Sequence, residues 1–285
     1  MIKAGLVVEG GGMRGVYSSG VLDFFIEKDL FFENNYGVSA GACHLCSYLA
    51  KQYKRAFRVN VDYLNDKRYC SVHSLLKTGN LFGAEMLYDI IPNELDLFDY
   101  DTYNKNESNF YVVITDINTG KPEYVKIGDL KKDIIYVRAS SSLPLLAQNV
   151  KINDKEYLDG GISDSIPIKK SIADGNKKNV VILTRDSTYR KGKNSLMPII
   201  KLKYKKYPNF VKSMADRYIV YNEILDFIKE LENNGDVFVI RPKKPVNIGR
   251  TEKNREKLEE LYNDGYNDAK DCYEELLKYL GKENL

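Results

Sequence analysis

Three segments of the chain carry residues whose types and spacing could do chemistry. The first is Gly10-Gly11-Gly12-Met13-Arg14-Gly15, between a short apolar run at 4–9 and an apolar helical pattern from Val16. It satisfies G-x-G-x-x-G, the turn that brings a dinucleotide pyrophosphate onto a helix N-terminus. That use also calls for an acidic residue about 20 positions on, at the end of the second strand. Here the second strand ends in Gly37-Val38-Ser39, and Glu33 precedes it. The other use of consecutive glycines is to leave backbone N–H groups unshielded and aimed at a developing oxyanion. A tight turn needed only for packing also fits.

The second segment, Gly37-Val38-Ser39-Ala40-Gly41, matches G-x-S-x-G where a predicted strand gives way to an apolar helix. A serine on such a turn is strained and exposed, and the following helix N-terminus favours negative charge beside it. A hydroxyl still needs a base. The histidines are His44 and His73. His44 lies on the same predicted helix just past Ser39 and cannot reach back. His73 precedes every candidate acid, so the Ser, acid, His order of an α/β-hydrolase triad is not available. The third segment offers another base. Asp159-Gly160-Gly161 follows a predicted strand at 156–158, and two small residues after the aspartate would let it approach Ser39. Taken alone, the same stretch reads as an ordinary Asp-Gly turn.

In this order the three segments resemble the patatin-like phospholipases, over roughly residues 4–185. Arg138-Ala139-Ser140-Ser141-Ser142-Leu143-Pro144 is similar to that family's helix end before the aspartate, and Asp116 with Gly120 to its central strand and turn. The stretches Asn60–Tyr69 and Arg241–Arg250 resemble a bacterial subgroup with a helical C-terminal extension. The resemblance implies a serine acyl hydrolase that cleaves lipid esters through an acyl-enzyme, with Ser39 and Asp159 as a catalytic dyad. It implies an oxyanion loop of Gly10, Gly11, Gly12, Arg14 and Gly15, supported by Gly37, Gly41, Gly160 and Gly161. Arg14 either orients that loop or neutralises a phosphate. This chemistry requires no metal and no organic cofactor. A non-catalytic lipid-binding protein of the same fold and an NAD-dependent oxidoreductase are the alternatives.

The elements that must position these residues follow from hydrophobic periodicity. Strands are expected at 4–9, 36–38, 110–115, 123–127, 148–152, 156–158 and 180–184, and helices at 16–30, 42–53 and 129–142. Residues 54–108 show no clear pattern beyond helical pieces near 85–91. Strands alternating with helices predict a three-layer α/β/α fold around a mainly parallel sheet. From about residue 186 the character changes to two long helical patterns, 208–234 and 252–280, around a strand at 237–241. The expected organisation is a catalytic domain over 1–185 and a mostly helical extension over 186–285 packed on it.

Composition narrows the class. The chain has 285 residues, 43% hydrophobic and 29% charged, as ordinary globular proteins do. A net charge of +3 is too small to argue for nucleic acid. No stretch approaches the roughly 20 apolar residues that span a bilayer, and the start lacks a secretory signal, so a cytoplasmic protein is expected. The sparse cysteines, Cys43, Cys46, Cys70 and Cys272, suit free thiols. Cys43 and Cys46 with Cys70 and His73 have zinc-like spacing, but the first pair falls on the helix behind Ser39, where cysteine is a common buried residue. The stretch 190–206 holds Arg190, Lys191, Lys193, Lys201, Lys203, Lys205 and Lys206 interleaved with apolar residues. It fits peripheral contact with an anionic membrane, and equally a solvated helix face.

Overall fold

The run Ile2–Val8 forms β1, buried except at Lys3. A continuous apolar strand suits a position with helices on both faces. The computed structural model describes residues 1–282 and places β1 at the sheet centre. It lies between β2 (Phe32–Val38) and the later β7 (Asn179–Ile182), parallel to both. Helix α1 (Val16–Glu27) links β1 to β2, and α2 (Ala40–Leu49) leaves β2 directly. The stretch that showed no clear pattern folds into α3 (Arg55–Val61), α4 (Val72–Thr78), a π-helical segment Met86–Leu95 containing Pro92, and α5 (Tyr100–Lys105).

Strand β3 (Asn109–Asp116) pairs parallel with β2 and antiparallel with β4 (Pro122–Ile127) across the turn that Asp116 and Gly120 close. Then come α6 (Leu130–Ser140), the hairpin of β5 (Val150–Ile152) and β6 (Lys155–Asp159), α7 (Ile168–Ala173) and β7. The last hundred residues supply α8 (Met197–Lys203), α9 (Pro208–Asn233), β8 (Val237–Ile240), α10 (Arg255–Asp271) and α11 (Tyr273–Leu280). Strand β8 extends the sheet beside β7, giving the order β5-β6-β3-β2-β1-β7-β8, with β4 on β3. The helical pattern at 252–280 is interrupted at Cys272, which separates α10 from α11.

Alternate side chains of β1 enter two cores, as the strand period requires. Leu6 and Val8 join the large core with α1, α2, α6 and α10, while Val7 joins α7 and α9 on the opposite face. The predicted α/β class with helices on both sides of one sheet is therefore the architecture found. On the first face, α1 and α10 touch backbone to backbone. A Cβ on Gly20 would fall 2.1 Å from the Tyr262 carbonyl oxygen, and one on Gly265 would fall 2.0 Å from that of Tyr17.

Candidate active site

Strand register brings the second and third segments together. Val38 at the end of β2 stands opposite Val113 of β3, and Asp159 at the end of β6 stands opposite Ile114. Strand β4 occupies the other edge of β3 past both positions, so β2 and β6 share one edge and meet end to end. Ser39 and Asp159 are the residues at that junction. The chain turns away from β6 through Gly160, where a Cβ would lie 2.0 Å from the Val113 carbonyl oxygen. Only glycine passes that close.

Ser39 adopts φ 54°, ψ −124°, between the last residue of β2 and the first of α2. A non-glycine residue there carries roughly 1–3 kcal/mol of strain. The Ser39 amide donates to Ser140 Oγ at 2.8 Å, and the Asp159 amide donates to the Ser142 carbonyl at 2.9 Å. The end of α6 thus grips both residues. Gly37 and Gly41 let α2 double back on the sheet: added Cβ atoms would fall 2.6 Å from Ala42 Cα and 2.4 Å from the Val8 carbonyl oxygen. The Ser39 hydroxyl donates to Asp159 Oδ2 at 2.8 Å, while Gly161 N–H donates to Asp159 Oδ1 at 2.7 Å. Burial pushes the Asp159 carboxyl above its ordinary value, against the pull of the Arg217 charge and the bonds from Ser39 and Gly161.

The glycine loop packs on the other side of Ser39, where a Cβ on Gly10 would meet Ser39 Cβ at 2.7 Å. The Met13 amide donates to the Arg250 carbonyl at 3.1 Å. Among the described residues the amides of Gly10, Gly11 and Gly12 donate to no protein acceptor, and these glycines line the cleft over Ser39. Gly15 instead faces Ala40 and His44, where its missing Cβ makes room. Arg14 is buried on the cleft wall with its Nε unpartnered, and burial beside Arg185 and Arg250 pushes its guanidinium down to about 10.

The cleft over Ser39 is narrow and open to solvent. Its wall includes Arg185, Lys191, Arg217 and Arg250, together with Tyr189 and Tyr221. The sequence singled out none of these as site residues, although Lys191 belongs to the basic stretch. Neither histidine faces the cleft. His44 is buried on α2, its Nε2 3.0 Å from Asn60 Nδ2, and burial holds it down at about 4. His73 borders a separate groove near Ile134 and Gln148. Cys43 contacts Ser141 Oγ at 3.3 Å, and Cys46 donates to the Ala42 carbonyl at 3.3 Å. All four cysteines are free thiols. Among the described residues no group of three or more His, Cys, Asp or Glu is arranged to hold a metal ion.

Residues 6–171 match the family model of patatin-like phospholipases, and residues 207–281 match that of a domain of unknown function, DUF6363. One relative, the uncharacterized protein YjjU of Escherichia coli K12, is 28% identical over 261 residues, covering 86% of this chain and 70% of YjjU. Another, the probable lipid hydrolase 463L of Invertebrate iridescent virus 6, is 25% identical over 215 residues, covering 65% of this chain and 71% of its own. Among solved structures, VipD from Legionella pneumophila aligns over 98% of this chain and 67% of its own, with a TM-score of 0.47 and 11% identity.

Proposed function

This chain belongs to the patatin-like phospholipase family, and on that premise we propose that it is a serine lipid acyl hydrolase with Ser39 as nucleophile and Asp159 as base. The observation that carries this reading is the 2.8 Å bond from the Ser39 hydroxyl to Asp159, on a strained turn beside free glycine amides. As Ser39 Oγ attacks the ester carbonyl carbon, its proton passes to Asp159 Oδ2. The carbonyl pair becomes an oxyanion received by N–H groups of Gly10, Gly11 and Gly12, each worth roughly 3–4 kcal/mol when aimed at the transition state. The tetrahedral adduct expels the alkoxide, which takes the proton from Asp159 and leaves an ester on Ser39. Water then gives a proton to the same carboxylate, attacks the acyl carbon and releases the fatty acid, and Ser39 Oγ is reprotonated. A carboxylate raised by burial suits this shuttle better than an ordinary one.

A lipid ester as substrate agrees with the description of the viral relative as a probable lipid hydrolase. A purely lipid-binding role leaves the strain at Ser39 without a purpose. The dinucleotide alternative lacks its acidic residue, since β2 runs straight into Ser39. Residues 1–185 form the catalytic unit in this reading, and the chain from 186 onward completes its cleft through Lys191, Arg217 and Arg250. Treatment with a fluorophosphonate should give one adduct, located on Ser39 by peptide mass spectrometry. An unlabelled protein, or an adduct elsewhere, sinks the assignment.

The reading extends to the membrane. Among the described residues no helix is long and apolar enough to cross a bilayer. However, Leu196 just before α8, and Ile199 and Leu202 within it, recur at three-residue spacing and are 49%, 54% and 75% exposed. Lys201, Lys203, Lys205 and Lys206 lie alongside them. Tyr204, after α8, bonds to Leu145 N–H at 3.4 Å, so the helix sits beside the segment that carries cleft residue Leu143. Peripheral docking of α8 on anionic lipid, by a cytoplasmic protein, fits this surface, at about 1 kcal/mol per basic residue near the headgroups. Sedimentation should show about tenfold more binding to phosphatidylserine-rich than to phosphatidylcholine vesicles. Equal partitioning removes the electrostatic contact.

A further inference from the structure

Five cationic side chains converge on the cleft beside Ser39: Arg14, Arg185, Lys191, Arg217 and Arg250. They come from four separate segments, namely the glycine loop, the loop after β7 (Arg185 and Lys191), α9 and the approach to α10. Among the described residues no carboxylate forms an ion pair with any of them. The two acids on the same wall are already engaged. Glu9 accepts from Thr184 and from the Tyr221 hydroxyl, and Asp159 from Ser39 and Gly161.

The hydrogen-bond and ring contacts that hold the cations in place are to neutral groups. Arg185 Nη1 donates to the Val246 carbonyl at 2.7 Å, with its guanidinium 4.5 Å from the Tyr189 ring centre. Lys191 Nζ lies 4.1 Å from the Tyr221 ring centre, and Arg217 Nε donates to the Gly161 carbonyl. The Nε atoms of Arg14 and Arg185 are buried without a partner. Burial, and then the neighbouring arginines against the opposing pull of Glu9, push the Lys191 ammonium down to about 7. Glu9 and Asp159 offset part of this charge, but five basic side chains against two carboxylates leave an excess of positive charge in a half-buried cleft. That excess opposes folding, and a ligand of opposite charge would reverse the cost.

We infer that this cluster receives a phosphomonoester dianion carried next to the scissile ester, so that the preferred substrates are acylated glycerol phosphates. The inference rests on the Ser39–Asp159 reading for the bond cleaved, and on the cation cluster for the headgroup. A phosphomonoester brings a charge of about −1.5 to −2 and three acceptor oxygens, which suits converging guanidinium forks. A choline headgroup would set its own cation against this wall, and an uncharged glycerol would leave its excess positive charge unmet.

The test compares kcat/KM of the full chain for 1-hexanoylglycerol 3-phosphate, 1-hexanoylglycerophosphocholine and 1-hexanoylglycerol. The phosphomonoester should lead by about tenfold or more, the worth of one charge-assisted bond. Arg250→Gln and Lys191→Gln should each cut that lead about tenfold, a ratio that does not depend on the fraction of protein folded. Equal kcat/KM for the three headgroups, or an unchanged lead in both variants, overturns the inference while leaving Ser39 chemistry standing. Calorimetry on Ser39→Ala protein separates the two ideas, because it needs no turnover. If no ester is hydrolysed, the catalytic reading fails, and binding of the phosphomonoester still decides the headgroup site. Inorganic phosphate should bind at least tenfold more weakly than 1-hexanoylglycerol 3-phosphate. Equal binding assigns the cluster to free phosphate and overturns the lipid source.

Discussion

Asp159→Asn should lower kcat/KM for p-nitrophenyl ester hydrolysis about 10⁴-fold while the protein stays folded, and Ser39→Ala should do the same. Asparagine has the shape of aspartate, and its Oδ1 can still accept from Gly161 N–H, the bond now made at 2.7 Å. That fixes the amide orientation and turns Nδ2 toward Ser39 Oγ, in the place of the oxygen now 2.8 Å away. A donor then faces the hydroxyl where an acceptor stood, and no group is left to take its proton. Neither histidine can substitute, since His44 is buried against Asn60 and His73 borders another groove. Because the two residues perform one proton transfer, the double variant should be no slower than the worse single one. The same melting temperature in all variants would show that the loss is chemical. More than a few per cent of wild-type kcat/KM in Asp159→Asn would mean that another group is the base.

What the sequence made legible is what local backbone chemistry dictates. A serine flanked by glycines at a strand-helix junction announces a tight elbow before any contact is known, and the positive φ at Ser39 is its physical content. Asp159-Gly160-Gly161 likewise reads as a close passage, and Gly160 runs against the Val113 carbonyl. The meeting of the two depends on register along β3, which no local pattern contains. The grip of Ser140 and Ser142 on both residues was visible only as a resemblance in the segment Arg138–Pro144.

The cationic wall was illegible for a different reason. Each of its members looks locally like a solvated charge: Arg217 follows Asp216 on a helix of mixed charge, and Arg250 stands in a loop rich in proline and lysine. Only tertiary packing makes them neighbours. The break between α10 and α11 was hidden too, because apolar periodicity continues through Cys272 from Leu261 and Ala269 to Leu276 and Leu280. Pro92 signalled irregularity without revealing that the chain absorbs it by widening to a π-helical segment.

The seam between α1 and α10 shows how the end of the chain reaches the beginning, and it should be acutely sensitive to a single carbon. Gly20 faces the Tyr262 carbonyl, and Gly265 faces that of Tyr17. On each side a tyrosine hydroxyl crosses to an aspartate at 2.9 Å, Tyr17 to Asp268 and Tyr262 to Asp23. The two helices therefore dock through paired glycines and paired tyrosine–aspartate hydrogen bonds. In an exposed helix, Gly→Ala raises stability by about 0.5–1 kcal/mol. Here the added Cβ would lie about 2 Å from a backbone oxygen, so the helices must separate and strain both hydrogen bonds. Overpacking of this kind costs about 1–3 kcal/mol or more, which reverses the sign. Gly20→Ala and Gly265→Ala should each lower Tm by several degrees, whereas Gly192→Ala, with nothing within 4 Å of its added carbon, should leave it within a degree. Because α1 begins directly after the glycine loop, and Arg250 rests on Gly12 just ahead of α10, a spread seam also loosens the cleft. Thermal unfolding of the three variants decides the matter. A Tm equal to or above that of wild type in both seam variants would show that α10 is not locked to α1.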